Sequence, residues 1–352
     1  MFSEKDSMAP AGTVNVLLVS ARDGWADRVR AVDPDRLLVH EVSGADLAEE
    51  GDTLYPSRWP KRGPSGSGAD AGRLLREAEV ILLGLPYPSR LYTRTGRLGW
   101  VHHPNAGASN LWDSDLWGAP VTVTSSRGSN YALPIAETVL AGAMTLARGL
   151  HIRTMRRADF AGNVVLSGKT MGIVGLGGIG GHVARMAKGM GMSVLASRLS
   201  ATDRMRNVGP VDEVLPASLL HELLGRSDVV AICVMLTKQT EELFDADAFA
   251  AMKPGAILVN VARGEVVDEH ALMASLEAGR LGGAYLDVYA GELHGEPPPD
   301  RLLTHPAVIM TPHISGVADE TGAVGFDLFL EYLRDYLAGK PLDNVIDWDR
   351  GY

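Results

Sequence analysis

The sequence is poor in cysteine and has no excess of basic residues, and both features limit what the protein can do. Cys233 is the single cysteine among 352 residues, so we expect no internal disulfide. The formal net charge is -10. A surface that binds nucleic acid or an anionic membrane needs clustered Lys and Arg to neutralise phosphate. We therefore expect neither partner, and any bound anion must be held by local groups.

Long apolar segments are also missing from the sequence. No apolar run reaches the roughly 18 residues that a membrane-spanning helix needs. Residues 1–12 are polar and lack the apolar region of a signal peptide, which predicts a cytoplasmic protein. Hydrophobic residues still make up 46% of the chain and charged residues 22%, which is typical of a globular protein. A chain of 352 residues predicts two domains that share a cleft.

Apolar runs alternate with helical patterns along most of the chain, which predicts an α/β fold. Residues 14–20 and 80–85 are predicted as buried strands, and residues 61–69, rich in Gly, Ser and Pro, as a mobile surface loop. A long helix is predicted over 133–150. From residue 169 the alternation is regular, as in a doubly wound parallel sheet. The remaining predicted elements are strands at 170–174, 193–196, 229–234, 256–261 and 283–288, a helix at 319–337 and an extended end at 341–347.

A glycine-rich turn follows the strand at 170–174 and opens a helix. Its pattern is Gly-x-Gly-x-x-Gly, in which the first glycine makes a tight turn and the second lets the backbone approach a pyrophosphate. The third glycine allows the helix to pack closely on the strand. A turn of this kind can also bind no ligand, but its place between strand and helix favours a dinucleotide. The predicted cofactor-binding residues are Gly175, Gly177, Gly178, Ile179 and Gly180.

The end of the next strand bears on which dinucleotide is bound. NAD-binding proteins carry Asp or Glu there, roughly 20 residues beyond the glycines, to accept bonds from the ribose hydroxyls. This chain has Ser197, Arg198 and Leu199, with no carboxylate to repel a 2′-phosphate and a guanidinium that could pair with one. The pattern favours NADP(H). If Arg198 is only a solvated loop cation, NAD(H) remains possible.

Four residues that could carry chemistry end or follow strands of the predicted nucleotide-binding sheet. Loops at the carboxyl ends of such strands converge on one crevice, so Arg263, Glu292 and His313 are expected near the nicotinamide. A histidine can take and return a proton near neutral pH, and a carboxylate at its other ring nitrogen stabilises the imidazolium. The guanidinium of Arg263 matches a carboxylate and can polarise a carbonyl. Asp287 is expected to orient the nicotinamide or to support the site.

These motifs resemble those of the D-isomer-specific 2-hydroxyacid dehydrogenase family from about Gly84 onward. The likeness is carried by residues 166–180, by Met-Lys-Pro-Gly-Ala at 252–256, by Asn-Val-Ala-Arg-Gly-Glu-Val-Val-Asp at 260–268 and by Thr-Pro-His-Ile-Ser-Gly at 311–316. The resemblance implies a Rossmann cofactor domain, residues 131–313, inserted into a discontinuous flavodoxin-like substrate domain, residues 1–130 and 314–352. Both domains are doubly wound parallel sheets, and the protein is a homodimer.

The resemblance also implies a role for each site residue. Arg263 binds the carboxylate and carbonyl of a small 2-oxo or 2-hydroxy acid, His313 is the acid/base, and Glu292 pairs with His313. Ala106 and Gly107 belong to a loop whose amides bind the substrate carboxylate. No metal site is expected. Further cofactor contacts are implied at Ile135, Cys233, Val234, Met235, Thr240, Val261, Ala262, Arg263, Asp287 and His313.

Two other functions remain open at this point. A phosphite-oxidising relative shares the Arg, Glu and His arrangement and would bind a compact oxyanion. A dinucleotide-sensing corepressor or scaffold could keep the fold without catalysis, although the complete set of three residues favours an enzyme. Side chains of the first domain, among them Tyr87, His102 and Tyr131, are expected to select the substrate.

Overall fold

The computed structural model describes residues 12–48, 68–85, 87–128, 132–152, 163–319 and 321–351. The chain divides into two compact units. The terminal unit comprises Met1–Ser129, Leu293–Glu296 and Glu320–Tyr352, and the central unit comprises Asn130–Glu292 and Pro297–Asp319. Most of the predicted loop at 61–69 lies outside the described residues, as does Tyr131. The assignment of the two units to substrate and cofactor stays a proposal.

The described part of the terminal unit contains a five-stranded sheet in the order β2-β1-β3-β4-β5, with every pairing parallel. This is the flavodoxin-like order, so the doubly wound fold predicted for this unit is confirmed. Four helices of the unit are α1 (Trp25–Arg30), α2 (Gly44–Leu47), α3 (Gly68–Glu77) and α10 (Thr321–Leu337). The strands are β1 (Val14–Val19), β2 (Leu37–Val42), β3 (Val80–Leu82), β4 (Trp100–His103) and β5 (Thr122–Ser125).

The last helix of the chain covers part of this sheet. Phe326, Phe329 and Leu333 of α10 are buried in one cluster with Trp100 of β4. The Trp100 and Phe329 rings stack with centroids 5.2 Å apart. Large aromatic side chains contribute much of a core's stability, so α10 is anchored on the sheet although nearly 200 residues separate it from β5 in sequence.

His102 is a core residue of the terminal unit. It has no exposed surface, and its Nδ1 lies 2.8 Å from Thr124 Oγ1 and its Nε2 3.1 Å from Ser126 Oγ. Burial lowers the pKa of His102 to about 3, and the neighbouring His103 acts in the same direction. The two hydroxyls occupy both ring nitrogens, which leaves neither for the substrate contact that the sequence suggested.

The buried His102 should make the free energy of unfolding fall as the solution becomes acidic. A histidine in the unfolded chain titrates near 6.5, whereas the folded pKa is about 3, so the unfolded state binds the extra proton between these pH values. Each pH unit in this window removes about 1.4 kcal/mol. Urea unfolding followed by Trp fluorescence at pH 7.5 to 5 measures the loss. His102→Gln should flatten the slope relative to His221→Gln, a surface control. Equal slopes would assign the loss to other groups.

The described part of the central unit contains an eight-stranded sheet in the order β13-β12-β11-β10-β6-β7-β9-β8. All pairings are parallel except that of β8 with β9. The reversal of strand order between β6 and β10 is the point where such sheets bind a dinucleotide. The strands are β6 (Thr170–Val174), β7 (Ser193–Arg198), β8 (Met205–Val208), β9 (Val211–Pro216), β10 (Val229–Ile232), β11 (Ala256–Asn260), β12 (Leu281–Leu286) and β13 (Val308–Met310).

Helices pack against the strands of the sheet in the central unit. The long helix predicted at 133–150 is present, one residue earlier at its start and two residues shorter at its end. None of the helices that the structure describes is both long and apolar enough to cross a membrane. The helices are α4 (Ala132–Arg148), α5 (Gly178–Gly189), α6 (Leu220–Arg226), α7 (Ala246–Ala251), α8 (Glu269–Glu277) and α9 (Asp300–Thr304).

Candidate active site

In the glycine turn after β6, close neighbours leave no room for a side chain at the first and third glycines. Gly175 has φ 102°, and a Cβ there would lie 2.8 Å from the carbonyl carbon and oxygen of Cys233 and 2.9 Å from Val234 Cγ1. A Cβ at Gly180 would lie 2.4 Å from the carbonyl oxygen of Gly175. No side chain other than hydrogen fits either position, so the turn keeps β6 and α5 close together.

The second glycine of the turn faces open space. A Cβ at Gly177 would meet no protein atom within 4 Å. Gly177 is also the N-cap of α5, and no side chain caps that helix end. The first amides of a helix lack partners within the helix and attract anions, and they include those of Gly178 and Ile179. The turn therefore fits a pyrophosphate, and the contact of these residues with a cofactor stays a prediction.

The end of β7 lies beside the glycine turn. The carbonyl oxygen of Ser197 accepts hydrogen bonds from the amides of Gly175 at 3.2 Å and Leu176 at 2.9 Å. Ser197 itself is 4% exposed, whereas Arg198 and Leu199 are exposed. The structure therefore brings the backbone of Ser197 to the turn and leaves the guanidinium of Arg198 accessible to a ligand.

The loop after β10 is closed by a threonine. Thr240 Oγ1 donates to the carbonyl oxygen of Met235 at 2.6 Å and accepts from the amide of Thr237 at 2.8 Å. The amide of Cys233 donates to the carbonyl of Val174 at 2.8 Å, which continues the ladder between β10 and β6. Burial raises the pKa of the Cys233 thiol to about 12, which disfavours the thiolate form.

The loop after β11 carries Arg263 and is braced by Asn260. The Nδ2 of this buried asparagine donates to the carbonyl oxygen of Arg263 at 2.9 Å, and its Oδ1 accepts from the amide of Ala262 at 3.0 Å. The Arg263 Nη1 donates to the carbonyl oxygen of Ala262 at 2.7 Å. Val261 and Ala262 are themselves buried, and the side chain of Arg263 is partly exposed.

The Arg263 loop touches the loop after β12 through backbone atoms. A Cβ at Gly264 would lie 1.8 Å from the carbonyl carbon of Tyr289 and 2.1 Å from the amide nitrogen of Ala290. Only glycine allows this approach. Gly264 was not predicted as part of the site, although it lies directly after the arginine of the motif.

Glu292 and His313 meet in the structure. The Nδ1 of His313 lies 3.2 Å from Oε1 of Glu292, and the side chains are 30% and 3% exposed, respectively. A carboxylate only accepts hydrogen bonds, so Nδ1 carries the proton at this contact. The contact leaves Nε2 as the ring nitrogen that does not face Glu292. This is the arrangement of an acid/base histidine whose tautomer is set by a buried carboxylate.

Asp287 holds the backbone around His313. It is fully buried; its Oδ1 accepts from Thr311 Oγ1 at 2.5 Å and from the amide of Ile314 at 3.0 Å, and its Oδ2 accepts from the amide of Ser315 at 2.9 Å. His313 has φ 52°, which is unusual for a residue other than glycine. The amide of His313 donates to the carbonyl of Asp287 at 2.9 Å. Thr311 was not predicted as part of this support.

Two predicted ligand contacts lie away from these loops in sequence. In the central unit, Ile135 of α4 is partly buried, and a Cβ at Gly316 would be 3.7 Å from its Cγ1. In the terminal unit, the loop with Ala106 and Gly107 is held by its own neighbours. His103 Nε2 lies 3.0 Å from the Gly107 carbonyl oxygen.

Comparison with known proteins identifies the family. Residues 140–315 match the family model described as the NAD binding domain of D-isomer specific 2-hydroxyacid dehydrogenases. A D-3-phosphoglycerate dehydrogenase from Synechocystis is 37% identical over 240 residues, 64% of this chain and 40% of that protein. An (S)-sulfolactate dehydrogenase from Chromohalobacter salexigens is 38% identical over 236 residues, 64% of this chain and 71% of that protein. The match thus spans less than half of the first relative.

A solved structure extends the likeness to nearly the whole chain. The D-isomer specific 2-hydroxyacid dehydrogenase from Xanthobacter autotrophicus Py2, in complex with NADPH and MES, superimposes with a TM-score of 0.75. It is 25% identical, and the alignment covers 97% of this chain and all of the other. Both sheets, the glycine turn and the family model therefore agree, and the chain belongs to the D-isomer specific 2-hydroxyacid dehydrogenase family.

Proposed function

We propose that the protein is an NADP(H)-dependent oxidoreductase that interconverts small 2-oxo and 2-hydroxy acids. The observation that carries the proposal is the contact of 3.2 Å between His313 Nδ1 and the buried Glu292 carboxylate. The glycine turn and the Arg263 loop follow strands of the same sheet at their carboxyl ends. Open α/β sheets bind ligands and perform chemistry in the crevice beyond those ends.

The proposed reaction assigns one task to each side chain. The nicotinamide supplies the hydride for reduction of the 2-oxo carbon and accepts it in the reverse reaction. Arg263 binds the carboxylate of the acid through its fork of donors and polarises the adjacent carbonyl. His313 donates a proton from Nε2 to the carbonyl oxygen, which becomes the hydroxyl of the product. Glu292 accepts from Nδ1 and offsets the positive charge of the imidazolium before that transfer.

The remaining side chains of the site position these groups or bind the cofactor. The glycine turn and the first amides of α5 would bind the pyrophosphate, and Arg198 the 2′-phosphate. Asp287 would keep the His313 loop in place through its three carboxylate hydrogen bonds. The amides of Ala106 and Gly107 in the terminal unit are proposed to bind the substrate carboxylate.

Small acids are the proposed substrates because the similar proteins are named for them. D-3-phosphoglycerate and (S)-sulfolactate are both 2-hydroxy acids that carry a second anionic group. The decisive measurement is the loss of NADPH absorbance with the purified protein and a panel of 2-oxo acids. The panel contains glyoxylate, hydroxypyruvate, pyruvate, phenylpyruvate, 3-phosphohydroxypyruvate and 3-sulfopyruvate. Turnover of one or more supports the proposal, and no turnover with any acid contradicts it.

The preference for NADP(H) is proposed from Arg198. No carboxylate lies at positions 197–200. Arg198 is the last residue of β7, and its side chain is exposed. The similar Xanthobacter protein was solved with NADPH, which supports the same choice. NAD(H) use at lower efficiency is compatible with this site, because the pyrophosphate contacts do not depend on the 2′-phosphate.

Arg198→Ala should weaken the binding of NADPH and leave the binding of NADH nearly unchanged. A hydrogen bond to a charged group contributes about 1.5 to 3 kcal/mol, so KM for NADPH should rise roughly 10- to 100-fold. Steady-state kinetics with each cofactor at a saturating concentration of one 2-oxo acid measures both values. Arg185→Ala, an exposed arginine later in α5, is the matched control. Equal changes for the two cofactors would remove Arg198 from the 2′-phosphate site.

A homodimer and a cytoplasmic location complete the proposal. The end of α4 and the segment after it in the described chain expose large apolar side chains, among them Leu150 and Val165, each 65% exposed. A second copy of the chain that covers them would remove this apolar surface from water. Sedimentation equilibrium measures the mass of the particle. The single cysteine is compatible with a reducing compartment.

A further inference from the structure

Two glutamates accept hydrogen bonds from the backbone amides of the two residues that immediately precede Glu292. Glu269 Oε1 accepts from the amide of Ala290 at 2.9 Å, and Glu265 Oε1 accepts from the amide of Gly291 at 3.1 Å. Both glutamates are partly buried. Hydrogen bonds to a carboxylate are stronger than those to a neutral oxygen. The two carboxylates therefore form a two-point anchor for the loop that presents Glu292.

The shape of this loop depends on how its backbone is held next to Glu292. Gly291 has φ 78°, so the chain turns sharply just before Glu292. The amide of Glu292 reaches the carbonyl oxygen of Tyr289 at 3.4 Å, which is long for a hydrogen bond. The Glu292 carboxylate must nevertheless stay within 3.2 Å of His313 Nδ1. The two glutamates hold the amides of the two residues that directly precede Glu292.

The glutamates themselves stand on a well-supported segment. Glu269 is the first residue of α8, and the N-cap of that helix, Asp268, accepts from the amides of His270 at 2.8 Å and Ala271 at 3.1 Å. The carbonyl oxygen of Glu265 accepts from the amide of Glu242 at 2.8 Å. The anchor therefore ties the Glu292 loop to a helix end and to a second loop of the same unit.

The segment that holds the glutamates begins at the substrate-binding arginine of the proposed reaction. Arg263 precedes it directly, and Gly264 lies against the backbone of Tyr289. Residues 263–269 and 289–292 thus form one packed assembly that includes both Arg263 and Glu292. A catalytic group must be held within about 0.5 Å of its productive place. One assembly that fixes both residues meets this requirement.

We propose that Glu265 and Glu269 are positioning residues that hold the Glu292 carboxylate against His313 and fix it relative to Arg263. The catalytic consequence rests on the proposed function, whereas the anchor itself does not. Burial raises the pKa of the Glu269 carboxyl, with the Glu265 charge acting in the same direction and the Ala290 amide and Arg301 opposing it. Either protonation state leaves an oxygen to accept from Ala290, so the anchor persists.

Hydrogen exchange tests the anchor without any assay of turnover. Glu265→Ala should speed exchange of the Gly291 amide by about 10-fold, and Glu269→Ala should do the same for the Ala290 amide. The reason is that a hydrogen bond to a carboxylate contributes about 1.5 to 3 kcal/mol. The matching Gln variants keep an acceptor oxygen and should stay close to the native rate. Glu277→Ala, an exposed glutamate at the end of α8, is the control. Unchanged exchange in both Ala variants would overturn the anchor.

Kinetics of the same variants tests the positioning role. Each Ala variant should lower kcat by about 10-fold, and the double variant by about 100-fold, because misplacement of a catalytic group by 1 Å costs about that much. KM for the 2-oxo acid and Kd for NADPH should stay at their native values. The Gln variants should keep a nearly native kcat. Faster exchange with an unchanged kcat would overturn the positioning role. If the Ala variants exchange faster but the native protein reduces no 2-oxo acid, the anchor is supported and the proposed function is contradicted.

Discussion

His313→Asn should lower kcat for 2-oxo-acid reduction by about 10³-fold, within the range of losses for a general acid/base. Asparagine is the appropriate substitute because His313 has φ 52°, and asparagine tolerates this conformation better than alanine does. The hydrogen bonds that the backbone amides of this loop donate to Asp287 are then expected to remain. Asparagine cannot take up or release the proton, so the chemical step is lost while the loop stays in place.

Two measurements separate this result from a general loss of structure. Fluorescence titration should give nearly the native Kd for NADPH, because the proposed pyrophosphate and 2′-phosphate contacts are unchanged. His221→Asn, on the exposed surface of α6, should be native in both kcat and Kd. If His313→Asn lost NADPH affinity as strongly as turnover, or kept native kcat, His313 would not be the acid/base.

The sequence predicted the fold where the local signal is strong. The five strands predicted after residue 169 are all present, and the glycine turn lies between β6 and α5 as expected. Their ends differ where pairing decides the boundary. β7 continues to Arg198 because that residue pairs with Pro216 of β9, and β10 stops at Ile232, two residues before the predicted end. Apolar runs show that a strand exists, but its partner sets its length.

The strands that the sequence analysis missed depend on partners far away in the chain. β4 ends in His102 and His103, which a sequence pattern does not mark as buried. Thr124 and Ser126 satisfy His102 from more than 20 residues away. The edge strand β8 is exposed along most of its length, and it is held by antiparallel pairing with β9. Neither set of partners can be recognised from local composition.

The candidate site shows the same division between side chains and their supports. The chemical types at Arg263, Glu292 and His313 could be identified from their places after successive strands, and the structure brings Glu292 and His313 into contact. The supports could not be identified in this way. Asn260 braces the Arg263 loop, and Thr311 binds Asp287 across 24 residues of sequence. The Asn260 contact joins residues three apart within a single turn, and the Thr311 contact joins two separate loops. Hydrophobic periodicity records neither hydrogen bond.

Gly264→Ala should lower both the stability and the activity of the protein. Its Cβ would lie 1.8 Å from the carbonyl carbon of Tyr289 and 2.1 Å from the amide nitrogen of Ala290, and both of these neighbours are backbone atoms that cannot rotate away. The two loops must separate, which costs stability by about 1 to 3 kcal/mol, as overpacking does. The same movement would shift Arg263 relative to Glu292, so kcat/KM should fall by about 100-fold.

Thermal unfolding and steady-state kinetics of the same variant check both effects. Gly189→Ala is the matched control, because its Cβ would meet no protein atom within 4 Å and alanine favours the helix α5. It should keep native kinetics and a native or slightly higher Tm. Native kinetics and a native Tm for Gly264→Ala would contradict the close contact with Tyr289. A lower Tm with native kcat/KM would show that the contact stabilises the unit without fixing the geometry of Arg263 and Glu292.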